Sequence, residues 1–177
     1  GCEINFPTIT SLDSANEYTI SFMIKPDSIV NTKSYSEYII SKNYSNNGSF
    51  IIYRVASSAT IRAEYKSSTG TFHGVNVTNA FSDTNWHSII LKIKADESID
   101  LVIDGVSHTG TVLPSIVTTG GVLKLLRTNN AFRGQISYLR VFDSALSTTD
   151  IDLLVAEGYH NPTFPKSEKP QPEPQET

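Results

Sequence analysis

Several stretches of this sequence bring amide or charged groups beside aromatic rings. Tyr35, Asn43, Tyr44 and Asn47 share the first of them. Phe72 and His73 follow the turn-like run Ser67-Ser-Thr-Gly70, and Asn129, Asn130 and Arg133 close a later loop. Arg62 and Tyr65 lie in a strand-like run. Polar side chains next to a flat ring suit a ligand that has both polar edges and an apolar face. These residues are the candidate ligand contacts.

The residues that would do covalent or metal chemistry are less well placed. Gly105-Val-Ser-His-Thr-Gly110 lacks the Gly-x-Ser-x-Gly elbow of a serine hydrolase and sits in a strand pattern, with no helix following. His73, His87, His108 and His160 show no metal-ligand spacing. Asp96, Glu97 and Asp100 cluster at the entry of a hairpin, where solvated charge is ordinary. Cys2 is the one cysteine and reads as a strand residue; it excludes an internal disulfide and a cysteine-based zinc site.

The elements that position these groups follow from composition and periodicity. The chain has 177 residues, a net charge of -4 and a charged fraction of 18%. Serine and threonine together number 40 and asparagine 12, so hydroxyls and amides, more than ions, build the surface. No basic field is available for phosphates, which argues against nucleic acid as a partner. No apolar run reaches the ~20 residues a membrane helix needs, so direct membrane insertion is not expected. There is no initiator Met and no signal-like segment, and the chain reads as processed or excised.

Period-two alternation dominates residues 2–161. Tyr18-Thr-Ile-Ser-Phe-Met-Ile24 puts Tyr18, Ile20, Phe22 and Ile24 on one face. Similar runs lie at 49–55, 60–66, 86–94 and 99–103, rich in β-branched and aromatic residues. Clusters of Ser, Asn, Asp and Gly separate them, and Asp104-Gly105 is a two-residue hairpin turn. One helix is signalled, with Ser147-Thr-Thr-Asp150 as a capping box, Ile151, Leu154 and Val155 at helical spacing, and Gly158 as its stop. The expected fold is all-β, a two-sheet antiparallel jelly-roll sandwich with one short C-terminal helix. The domain spans 1–161. Residues 162–177 hold five of the eight prolines and read as a linker or tail.

Five fragments in order resemble the concanavalin A-like lectin/glucanase superfamily, of the laminin-G-like type. They are Tyr18 to Asp27, Tyr38-Ile-Ile-Ser-Lys42, Trp86-His-Ser-Ile-Ile90, Leu101-Val-Ile-Asp-Gly105, and the stretch from Phe132 to Ser147 followed by Asp150-Ile151. The resemblance implies Trp86 as a core anchor, Gly134 as a point of close backbone approach, and Arg140 as a partner for a buried carbonyl. Relatives that cleave β-glucans carry Glu-x-Asp-x-x-Glu on one strand, and no glutamate here has an aspartate two residues later. No catalysis is expected. Relatives also hold Ca²⁺ at the sandwich rim. Ser137 and Tyr138 stand where acids are common, which leaves Asp27, Asp83 and Asp143, with the amides of Asn129 and Asn130, as possible oxygen donors.

The resemblance further implies carbohydrate binding. The expectation is a non-catalytic module for glycan recognition or adhesion, displayed outside the cell or on a virion and tethered to other domains or subunits through its tail. The alternative is an assembly or protein-interaction domain that takes no sugar. Its partner would be another subunit or a surface protein.

Overall fold

Side-chain alternation in the sequence becomes alternation in burial. The protein, a computed structural model, is described over residues 4–6, 16–43, 46–114, 116, 121–126 and 130–159. Cys2, His160 and the proline-rich stretch lie outside the described residues. One antiparallel sheet is ordered β1 (Ile4–Phe6), β10 (Leu123–Leu125), β3 (Glu37–Lys42), β4 (Phe50–Arg54), β5 (Ile61–Lys66) and β6 (Phe72–Val77). The second is ordered β11 (Gly134–Phe142), β2 (Glu17–Pro26), β7 (His87–Lys94), β8 (Ser98–Ile103) and β9 (Val106–Val112). This is the antiparallel sandwich that the sequence predicts.

The core lies between the sheets. Tyr18, Ile20, Phe22 and Ile24 of β2 and Ile89, Leu91 and Ile93 of β7 meet Phe50, Ile52, Ile61, Ala63 and Tyr65 of the opposing sheet. Asp104 and Gly105 take positive φ, 51° and 80°, as the hairpin between β8 and β9 requires. Helix α1 (Thr148–Tyr159) lies outside the five-stranded sheet, where Ile151, Leu154 and Val155 pack on Ile90 and Val102. Ser147 caps it. Its hydroxyl oxygen accepts from the Asp150 amide at 3.2 Å, and the Asp150 carboxylate accepts from the Ser147 amide at 3.3 Å. The helix runs one residue past Gly158.

Trp86 requires a correction. The inward residues of β7 are odd-numbered (His87, Ile89, Leu91, Ile93). That parity turns Trp86 outward, half-buried, and draws His87 inside. The His87 Nδ1 lies 2.6 Å from the Asp104 carboxylate, and its ring lies 4.8 Å from that of Phe81. Arg140 is also different from expectation. It is exposed on β11 and pairs with Glu157 of α1. Gly134 does permit close approach: its φ is 151°, and a Cβ there would collide with the Lys25 carbonyl oxygen.

The sandwich closes along one side. Strands β6 and β9 come from different sheets, yet the Gly74 amide donates to Thr111 Oγ1 at 2.9 Å. A Cβ on Gly110 would collide with the Gly74 carbonyl.

Candidate functional site

The outer face of the six-stranded sheet gathers the groups suited to a ligand. In β5 the core takes Ile61, Ala63 and Tyr65, so Arg62, Glu64 and Lys66 point outward. Register then sets their neighbours. Tyr38, Tyr53, Arg62 and Asn76 form one row across β3 to β6. Ser41, Ile51, Glu64 and Gly74 form the next, and Lys66 faces Phe72 in a third. Ser41 and Ile51 are buried, so the open part of this face lies over β5 and β6 and the ends of β3 and β4.

Glu64 is the fixed point of the face. Its Oε2 accepts from the Tyr53 hydroxyl at 3.0 Å, and its Oε1 lies 2.6 Å from an Arg62 guanidinium nitrogen. Gly74 makes room beside it, since a Cβ there would come within 3.1 Å of Glu64 Cγ and 2.7 Å of the Ala63 carbonyl. Burial, reinforced by the Glu64 charge, pushes the Tyr53 phenol well above the ordinary tyrosine range. Tyr53 therefore remains a hydroxyl donor. The Tyr38 ring lies 6.1 Å from that of Tyr53, tilted by 56°. Tyr38 is itself held at both ends, its amide donating to the Asn130 carbonyl at 2.7 Å and its carbonyl accepting from Phe132 at 3.0 Å. Arg62 Nε is buried and has no hydrogen-bond partner.

A second aromatic stands apart from this pair. Phe72 is 53% exposed, and the Lys66 ammonium lies 5.4 Å from its ring centre.

Of the sequence-predicted contacts, the structure brings Arg62 and Phe72 onto this face. Tyr65 is corrected to the core: it is 1% exposed, because it shares parity with Ile61 and Ala63. His73 is the register partner of Tyr65 and shares its inward parity, opposite to that of Phe72. Asn43 and Asn47 brace loops. Asn43 Oδ1 accepts from Asn46 at 2.7 Å, and Asn47 Nδ2 donates to the Ser68 carbonyl at 2.6 Å. Tyr35 is exposed in the loop between β2 and β3, where its carbonyl accepts from Asn31 at 2.8 Å. Asn130 serves through its backbone, in a left-handed conformation with φ 66°. Arg133 is exposed, and its carbonyl accepts from the Asp27 amide at 3.2 Å. Tyr44 and Asn129 lie outside the described residues.

Sequence reasoning passed over Tyr38, Tyr53 and Glu64. The signal was the alternation of β5, whose even positions read Arg, Glu and Lys. Following that face across the register leads to both tyrosines.

Among the described residues no group of three or more His, Cys, Asp or Glu side chains is placed to hold a metal. Asp83 accepts from the Asn85 amide at 2.7 Å, a bond that lowers its carboxyl below the usual range, and Asp27 and Asp143 are exposed. In the described strands of the six-stranded sheet the acids are Glu64 and Glu37, and Glu37 is buried against Arg54. No helix among the described residues is long and apolar enough to cross a membrane.

Comparison with solved structures agrees with this architecture. The binding domain of botulinum neurotoxin DC, solved in complex with SialylT, superposes with a TM-score of 0.68 at 14% identity, over 89% of this chain and 40% of that one. The receptor binding domain of the mosaic serotype C/D neurotoxin gives 0.70 at 12% identity, over 88% and 40%. The chain thus spans about 40% of the toxin binding domains it matches. The CBM40 of the Ruminococcus gnavus IT-sialidase, bound to alpha2,3 sialyllactose, gives 0.64 at 14% identity, over 89% of this chain and 97% of that one. Such identities establish the fold alone. A search of curated proteins gives no match. A laminin-G-type family model described as concanavalin A-like lectin/glucanases superfamily matches residues 2–152. The chain belongs to the concanavalin A-like lectin/glucanases superfamily.

Proposed function

We propose that this protein is a non-catalytic glycan-binding module that uses the outer face of its six-stranded sheet. A sugar ring lies against Tyr53 and Tyr38, and its hydroxyls bond to Glu64 and Arg62. The observation that carries this reading is the Glu64 carboxylate, held between the Tyr53 hydroxyl and the Arg62 guanidinium beside an aromatic pair. A carboxylate fixed by two donors is oriented before the ligand arrives, which lowers the ordering cost of binding. Hydrolysis of a glycosidic bond ordinarily needs two facing carboxyl groups. Glu64 has no such companion among the described strand residues of this sheet.

The neighbours support the same reading. One was solved with sialyllactose and another with SialylT. A shallow site of this kind binds weakly, so display in several copies, outside the cell or on a virion and tethered through the tail, would raise avidity. A protein ligand is the competing reading, and the same neurotoxin domain was also solved with rat synaptotagmin II.

A glycan array probed with the purified chain, with and without a calcium chelator, tests the proposal. Bound sugars should be lost on Tyr53→Ala and weakened at least tenfold on Glu64→Gln, and the chelator should change neither result. Sugar binding that survives both substitutions would place the site elsewhere.

A further inference from the structure

The outer face carries two aromatic plates. Tyr53 and Arg62 are register partners, as are Lys66 and Phe72, and Arg62 and Lys66 are both on β5. Arg62 to Lys66 is ~13 Å along the strand, and β4 to β6 is ~10 Å across the sheet, so the two plates stand ~16 Å apart along a diagonal. One sugar ring cannot touch both. Glu64 and Gly74 lie between them, and Gly74 raises no side chain into the path.

Charge on the strip points the same way. Among the described strand residues its outward charges are Arg62, Glu64 and Lys66; Arg62 and Glu64 bridge each other, and Lys66 stands beside the second plate. The chain as a whole carries -4. A cation set beside an aromatic plate favours a ligand that carries a negative substituent at that point.

Building on the glycan reading above, we infer that the ligand is an extended acidic oligosaccharide. It lies across β5 with one ring on Tyr53 and another on Phe72, and it places an acidic substituent near Lys66. Phe72 is then a second subsite that sets chain-length preference, and Lys66 sets charge preference.

The test is an array printed with size-graded acidic and neutral oligosaccharides, from monosaccharide to octasaccharide. It is probed with the wild-type chain and with Phe72→Ala, Lys66→Met and Tyr53→Ala. Phe72 is exposed and Lys66 half-buried on the outer face, outside the core, and circular dichroism checks that both variants fold. Wild type should respond about fivefold to tenfold more strongly to long acidic chains than to short ones. Phe72→Ala should keep the short-chain response and lose that rise. Lys66→Met should erase the difference between acidic and neutral chains, and Tyr53→Ala should silence the array. A response independent of length, or equal for acidic and neutral chains, overturns this inference and leaves glycan binding standing. Silence of the wild-type chain toward every sugar overturns both.

Discussion

Arg54 and Glu37 face each other across β4 and β3 as a buried ion pair, each 2% exposed. The guanidinium also lies 4.9 Å from the centre of the Phe132 ring and donates to the Ser28 carbonyl. The pair therefore ties two strands to the loop after β2 and to the segment before β11. Removing one partner leaves an uncompensated charge inside. Glu37→Ala should cost ~3–5 kcal/mol, whereas replacing both residues with Met should recover most of that loss. Urea denaturation of the two variants measures the difference. Equal destabilisation would show that the pair itself is not the origin of the cost.

His87, not Trp86, anchors the start of β7. His87→Ala removes the bond to Asp104 and the ring contact with Phe81, and should destabilise by ~2–3 kcal/mol. Trp86→Ala should cost ~1–2 kcal/mol, below the range for a fully buried tryptophan. Thermal melts of the two variants should fall in that order, and the reverse order would return Trp86 to the core.

Tyr53 links stability to alkaline pH. Its phenol titrates higher in the folded chain than in the unfolded one, first through burial and then through the Glu64 charge. The contribution is whole below the unfolded value of about 10 and is lost as pH rises above it. Unfolding free energy should thus fall less steeply above that pH in Tyr53→Phe than in wild type. Tyr18, buried and shifted in the same direction, retains a slope in both proteins. Identical slopes would mean that Tyr53 ionises freely in the folded state.

Gly110→Ala would push a methyl group into the Gly74 carbonyl and into Ile99. Neither backbone can move without parting the two sheets, so the substitution should cost ~1–3 kcal/mol. Hydrogen exchange at β6 and β9 should rise above that of the other strands. Uniform exchange would show that the seam yields locally.

The sandwich was legible because its strands alternate cleanly. Tyr18 to Ile24 and Ile61 to Lys66 assign their own faces, and Ser147 with Asp150 marks the helix start. The site was harder to read, since a row across three strands depends on register, which no single strand encodes. Tyr65 entered the candidate set because its chemistry fits a sugar, although its parity with Ile61 already placed it inside. Asn43 and Asn47 have amides suited to a ligand, but amides in tight loops are drawn first to nearby backbone and side chains. Trp86 misled through size: a large ring at a strand start looks like core until the even and odd positions of β7 are compared.

The seam at Gly74 and Gly110 also bears on self-association. Unpaired strand margins invite other chains to add on, and here β6 and β9 shield one another. The opposite margin of the five-stranded sheet is β11, which breaks register between Ser137 and Arg140, with Tyr138 at φ 53°. Such a kink spoils the template for a straight incoming strand. Among the described residues this leaves the three-residue β1 as the one unguarded margin, so many copies can be crowded on a surface with little risk of fusing edge to edge.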